Sequence, residues 1–284
     1  MSSAKAGVEA QKVSNRSALP HAAAFAGHRE RLTSIVASSA PPDAEGRLCV
    51  LGAGNCHDLD LVRLAALFRE IHLVDIDQAA IEGARDRHDD AVKARLFCHE
   101  PIDLSGLVDR LDRWKEMQVT PEEVMNHPAE TSRKITESLP APFDVVLSAC
   151  VLTQLQLFAL DVLTPTHRLF EAVRQVLNLA HLRTLARLIA PGGKAILATD
   201  FISSKTYPLR ELEPGSDLAK LMSELLAANN AIYAANPELL MWMGREDPML
   251  SRAVEMSFPK DVWLWNNGPE LVFLVYAMEM KLKT

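Results

Sequence analysis

Short apolar runs and longer amphipathic stretches take turns along this chain, and their spacing predicts most of its elements. Runs of strand length fall at 48–51, 71–74, 95–98 and 195–199, with another beginning at Phe143. Helical patterns lie between them, at 58–68 behind Asp58 as N-cap and at 79–92. A long helix is predicted from Thr164-Pro165 to just before Pro191-Gly192-Gly193. Strand and helix alternating at this spacing predict parallel strands joined by right-handed crossovers. Before them, residues 21–39 place Phe25, Leu32, Ile35 and Val36 on one helical face, and residues 1–20, small and polar, are expected to be disordered.

Two connections are longer than a crossover needs. Residues 105–141 contain Thr120-Pro121-Glu122-Glu123, a capping box with proline at the first helical position, so this insertion is partly helical. Residues 201–256 carry a helical stripe of Leu218, Leu221, Met222 and Leu225 behind Ser216 as N-cap. The chain then reads as two strands, 262–265 and 271–280, joined by a tight turn at Asn266-Asn267-Gly268-Pro269. The whole predicts one domain: an N-terminal cap (1–45), a core (46–200), the helical insert (201–256) and a hairpin (257–284).

The chemistry gathers where strands end. The first strand breaks into Gly52-Ala53-Gly54-Asn55, and the second ends on Asp75-Ile76-Asp77, with Asp75 following Gly52 by 23 residues. Glycines there let backbone approach a ligand, and an acid about 20 residues on stands where a ribose diol would lie. The third glycine of a nicotinamide fingerprint is replaced by His57, which lowers the case for a dinucleotide and leaves adenosine binding untouched.

In order and spacing, five segments resemble the class I S-adenosylmethionine-dependent methyltransferases over roughly residues 21–284. They are Leu51-Gly52-Ala53-Gly54-Asn55, Leu73-Val74-Asp75-Ile76-Asp77, Pro101-Ile102-Asp103-Leu104, the fourth strand from Phe143 through Ser148-Ala149-Cys150 to Leu152, and the helix-turn-strand at 188–197. The resemblance implies a seven-stranded Rossmann-like sheet, parallel except for one strand of a C-terminal hairpin. It also implies S-adenosylmethionine as cofactor, with Gly52, Ala53, Gly54, Asn55 and Asp58 around the turn. Asp75 would take the ribose hydroxyls beside Asp77, Ile76 would pack on adenine, and Asp103 next to Leu104 would accept from the adenine amino group. Ser148, Ala149 and Cys150 would line the methionine arm. Asp103 has a second reading as a helix cap. Arg29, on the apolar stripe of its helix, either snorkels to water or pairs with the methionyl carboxylate.

Composition narrows the partners. Net charge is −7 with scattered basic residues, where a polyanion would ask for a clustered basic face, so nucleic acid is disfavoured. The fourth strand end lacks the Asn/Asp-Pro-Pro-aromatic run of nucleic-acid amino-methylating enzymes, a Pro-Cys nucleophile and the acidic pair of metal-dependent catechol-type enzymes. The four cysteines form no Cys-x-x-Cys pair, no apolar run reaches membrane length, and a cytoplasmic enzyme is expected. Its substrate is expected to be a small molecule bearing an amine, hydroxyl or thiol, methylated without metal. Substrate contacts are expected from His28, Phe201, Tyr207, Trp242 and Trp265, with Tyr233 and Trp263 in the same aromatic-rich third. His28, His57, His99 and Tyr207 are candidate bases. Two further readings stay open: a nicotinamide oxidoreductase, and a binding-only relative that keeps the cofactor pocket.

Overall fold

The computed structural model describes residues 3–99, 101–116, 119–160, 163–230, 232, 235–268 and 271–284. Among these residues eight strands form one sheet: β1 (Arg47–Leu51), β2 (Glu70–Val74), β3 (Leu96–Cys98), β4 (Phe143–Ala149), β5 (Ile189–Ser203), β6 (Val254–Met256), β7 (Asp261–Asn266) and β8 (Val272–Leu282). Their order is β3-β2-β1-β4-β5-β8-β6, with β7 also on β8. The first five strands run parallel, and β8 runs antiparallel to β5. An antiparallel strand inserted beside β5 is the topology of the class I methyltransferase fold, as the alternation and terminal hairpin predict.

The helices described are α1 (Ser3–Ala18), α2 (Ala26–Ala37), α3 (Leu61–Ala65), α4 (Gln78–Asp86), α5 (Asp90–Lys93) and α6 (Leu111–Lys115). They continue with α7 (Pro121–Glu137), α8 (Leu152–Leu160), α9 (Phe170–Leu188), α10 (Leu218–Ala227), α11 (Pro237–Glu246) and α12 (Leu250–Ala253). Two apolar clusters cover the sheet. On one side, Leu32 and Val36 of α2, Leu64 of α3 and Ile81 of α4 meet Leu48, Val50, Ile71 and Leu73. On the other, Ile135 of α7 and Leu182 and Leu185 of α9 meet Cys49, Leu51, Val146 and Leu197. Burying such side chains contributes about 1.5–3 kcal/mol each. No described helix is long and apolar enough to cross a membrane.

Several boundaries differ from the expected ones, each for a local reason. The hairpin's first arm is preceded by β6, so both short strands lie against β8. Between their ladders, four residues (257–260) stand opposite two of β8, and this bulged break turns the expected seven strands into eight. Residues 3–18 are helical where disorder was expected, because Gly7, Val8, Gln11 and Ser14 lie three or four apart and cover a cavity. The first core helix is capped by Asp60, not Asp58, and α10 by Asp217, not Ser216; each cap accepts a backbone N–H three residues on. The long helix starts at Phe170, since 164–169 form successive turns through Thr164 O and His167 O. The capping box at Thr120 and Glu123 forms as expected. The Pro191-Gly192-Gly193 turn loops out inside β5.

Candidate functional site

Beyond the carboxyl ends of the parallel strands lies a cavity of about 620 Å³, where an open α/β sheet places its ligands. Gly52, Asp75 and Cys150, directly after β1, β2 and β4 in turn, line it together with Asp200 of β5.

The glycine turn is held from below and from the side. The N–H groups of Gly52 and Ala53 both donate to Val74 O, which ties the end of β1 to the end of β2. Gly52 has φ +74°, and a Cβ there would sit 2.5 Å from Val151 Cβ, so glycine is required for both conformation and space. Asp75 accepts the Gly54 N–H (2.8 Å) on Oδ2 and the Asp77 N–H (2.9 Å) on Oδ1. Burial pushes the Asp75 carboxyl up, and these backbone donors pull it back. Each carboxylate oxygen retains acceptor capacity for a hydroxyl, and Asp75 lines the cavity with Ile76.

Asp77 caps α4 and accepts from Asn15 Nδ2 of α1 (3.0 Å), while Asn55 Nδ2 donates to Asn15 O (2.6 Å). Asp103 accepts from Ser105 N, Ser105 Oγ and Val108 N. It therefore closes its own loop instead of capping a helix, and with Ile102 and Leu104 it also lines the cavity.

At the end of β4, Ser148 bonds His181 Nε2 of α9 (2.8 Å), and Ala149 is buried. Cys150 takes φ +50°, unusual for a residue with a side chain, while its N–H donates to Ala198 O. Its thiol lines the cavity, and burial holds its pKa well above the usual thiol range, which keeps it protonated.

Arg29 is half-buried and does not line the cavity: its guanidinium donates to Ala22 O (3.3 Å) and His57 O (3.1 Å). Beside it, buried His28 accepts from Trp263 Nε1 (2.9 Å) and stacks on Trp265 at 4.5 Å between ring centres. Its Nε2 stands 3.7 Å from Asp58 Oδ1, and neither atom has a hydrogen-bond partner. Burial lowers His28 to about 3 and raises Asp58 to about 7. His28 is thus a neutral prop behind the cavity wall.

The remaining aromatic expectations separate. Trp265 lines the cavity with an unpartnered buried Nε1. Phe201 is fully buried against Tyr276, Tyr207 packs on the apolar cluster of that face, and Trp242 is half exposed on α11; none of the three lines the cavity. His99 bonds His72 Nδ1 (3.0 Å) next to β3, and His57 is half-buried beside Phe25. Tyr233 lies outside the described residues.

Helix α1 and Gln156 were not singled out in the sequence, whereas Asp200 stands among the strand-end residues it points to. Helix α1 roofs the cavity through Gly7, Val8, Gln11 and Ser14, and Gln11 bonds Gln154 of α8 (2.9 Å). Gln156 of α8 gives Nε2 to Arg174 O (2.8 Å) and Asn178 Oδ1 (3.0 Å). That pairing fixes the amide orientation and leaves its Oε1 buried without a partner in a residue lining the cavity. Asp200, within β5 just past its ladder with β4, accepts from Thr153 Oγ1. Its only signal in the sequence is an acid directly after an apolar strand, the same signal that Asp75 gives.

No family model and no curated protein matches this chain. Among solved structures it is similar to the YcgJ protein of Bacillus subtilis at 12% identity, covering 89% of this chain and 98% of that one, with a TM-score of 0.46. It is also similar to the magnesium protoporphyrin IX methyltransferase of Synechocystis with bound S-adenosylmethionine, at 11% identity, 91% and 81% coverage and a TM-score of 0.46. A third likeness is to an rRNA methylase of Streptococcus thermophilus, at 9% identity, 89% and 95% coverage and a TM-score of 0.37. Independently of these, the strand order and the antiparallel β8 give the chain the class I methyltransferase fold.

Proposed function

We propose that this protein is an S-adenosylmethionine-dependent methyltransferase acting on a small molecule that carries an amine, hydroxyl or thiol. The observation that carries the reading is the convergence of Gly52, Asp75, Asp103 and Cys150 on one cavity beyond the strand ends of this sheet. The lining suits the cofactor: carboxylates at Asp75 and Asp103 for ribose and adenine, with Ile76, Ile102 and Leu104 between them as an apolar bed. The antiparallel β8 and the absence of a third glycine favour this cofactor over a dinucleotide.

When bound, the cofactor supplies a methyl group on a positively charged sulfur. The chain's part is to hold the two reactants in line and keep water out. Helix α1 supplies the roof, Leu155 and Leu160 of α8 supply apolar wall, and Gln156 Oε1 offers an acceptor to the N–H or O–H of the substrate. The displacement itself asks for no metal and no covalent intermediate, and a protonated Cys150 has no nucleophilic part in it. The roofed cavity supports a small substrate over a polymer.

Calorimetry with S-adenosylhomocysteine and NADH tests the cofactor; binding of NADH without the former would overturn the assignment. Incubation with methyl-labelled cofactor and a metabolite extract, followed by mass spectrometry, tests the substrate class. Label found only in protein or RNA would refute a small-molecule acceptor, and activity lost to a chelator and restored by magnesium would refute the metal-free route.

A further inference from the structure

Among the described residues, Asp200 is the one acid of the cavity that neither the glycine turn nor a loop consumes. The ladder between β5 and β8 shifts register between Asp200 and Ile202, and such a bulge re-aims side chains at a strand end. The residue is buried, lines the cavity with Gly52, Asp75 and Cys150, and takes one side-chain hydrogen bond, from Thr153 at the start of α8.

Resting on the cofactor reading above, we propose that Asp200 is the counter-charge at the point of methyl transfer. It would pair with the sulfonium before reaction and take the proton that the acceptor loses. The step balances. The acceptor's lone pair forms the new bond to the methyl carbon, and the carbon–sulfur bond breaks with its electrons staying on sulfur. The acceptor's N–H, O–H or S–H proton passes to the Asp200 carboxylate. A cation and an anion become two neutral groups, a change favoured inside a cavity that solvates charge poorly.

The groups around Asp200 leave this role open. Tyr276 of β8 is neutral, its pKa held well above the usual range by burial, and its hydroxyl donates to Ala235 O (2.7 Å). Cys150 at the end of β4 is a neutral thiol, and Thr153 is uncharged. Asp75 lies in the same lining, engaged by the glycine turn, and Arg174 and Lys205 line it too. Burial raises Asp200 to about 6, against the pull of the Thr153 hydroxyl. A cation brought beside it lowers that value, so the carboxyl gives up a proton when the charged cofactor binds.

Isothermal titration calorimetry in buffers of different ionisation enthalpy reads that proton. At pH 6, S-adenosylmethionine is expected to release about half a proton more than S-adenosylhomocysteine, and the difference should vanish at pH 8. In Asp200→Asn the difference should vanish at every pH. The preference for the charged over the demethylated cofactor should also fall about tenfold, the scale of one partly screened charge pair. Thr153→Val removes the hydroxyl that favours the carboxylate, so the release should move to higher pH with the cavity otherwise intact. Equal proton counts for the two ligands in the wild type, or an unchanged preference in a folded Asp200→Asn, would overturn the proposal. If neither ligand binds the wild type, the cofactor reading itself fails and the proposal goes with it.

Discussion

The two ends of the cavity are built by different means. Around Asp75 the contacts are almost all to backbone: Gly54 N, Asp77 N and the paired donors on Val74 O come from two strand ends about 20 residues apart. Elsewhere on the lining the contacts come from side chains of distant segments: Asp200 with Thr153 of α8, Gln156 with α9, and Trp265 of β7 stacked on His28 of α2. A backbone-built end follows from the topology and tolerates sequence change. A side-chain-built end can be re-shaped one residue at a time, which suits the half that must choose a substrate.

The sharpest way to break this comparison is Asp75→Ala. It should weaken S-adenosylhomocysteine binding by about 1.5–3 kcal/mol, the worth of hydrogen bonds to a charged group, read by calorimetry. Wild-type affinity in that variant would mean that the backbone-built end is not the cofactor end. Next in size is removal of residues 1–18, which takes away the roof and the Asn15 contacts to Asp77 and Asn55. Cofactor dissociation should speed up by about tenfold in stopped-flow fluorescence, matching the loss of one or two part-buried hydrogen bonds. An unchanged rate would show that α1 plays no part in holding the ligand.

Two buried histidines belong to the elements around the cavity, His181 bonded to Ser148 at the end of β4 and His28 stacked on Trp265. Burial lowers them to about 4 and about 3, so both are neutral in the folded chain at pH 6. Their pKa values lie below that of a histidine in the unfolded chain, so the unfolded state gains protons first on acidification. Stability from these groups is full above about pH 6.5 and drains away as pH falls towards 4. The same holds for His72 and His127, while Asp58, Asp75 and Asp200, raised by burial, push the other way. With four against three, the urea midpoint should fall from pH 7 to pH 5, and His181→Gln should flatten that slope. A slope untouched by the substitution would remove His181 from the account.

Smaller effects sharpen the division. Gln156→Leu should leave S-adenosylhomocysteine affinity within about twofold while raising the KM for the acceptor about fivefold, the cost of one hydrogen bond. Trp242→Ala, half exposed and away from the lining, should change neither constant by more than about twofold. A large loss on either constant would bring α11 into the site.

The sequence discloses the first end far better than the second, for a physical reason. Asp75 and Gly52 are recognisable because a strand, a turn and a strand occupy neighbouring stretches of chain, and the parallel order with its terminal hairpin follows from the same periodicity. Asp103, Ile76 and Cys150 come with their strand ends. Thr153 and Gln156 give no such signal, since what makes them cavity residues is α9 and β5, 20 to 50 residues away. Arg29 and Asp58 show the opposite failure. Each has the right residue type at a promising position, yet Arg29 is spent on two carbonyls, and Asp60, two residues on, does the capping expected of Asp58. Helix α1 escaped because its weakly apolar face is sufficient only where a cavity rim supplies the other half of the contact.

The break at 257–260 has a consequence for how this molecule meets copies of itself. A long strand lying bare along β8 would present a continuous row of backbone donors and acceptors to any passing chain. Here that border is divided into three residues of β6 and six of β7, separated by Ser257-Phe258-Pro259-Lys260. Proline has no N–H to offer, and Lys260 follows it directly before β7. Three and six residues offer shorter rows than one continuous strand would, and breaking an edge in this way lowers its tendency to extend the sheet border to border.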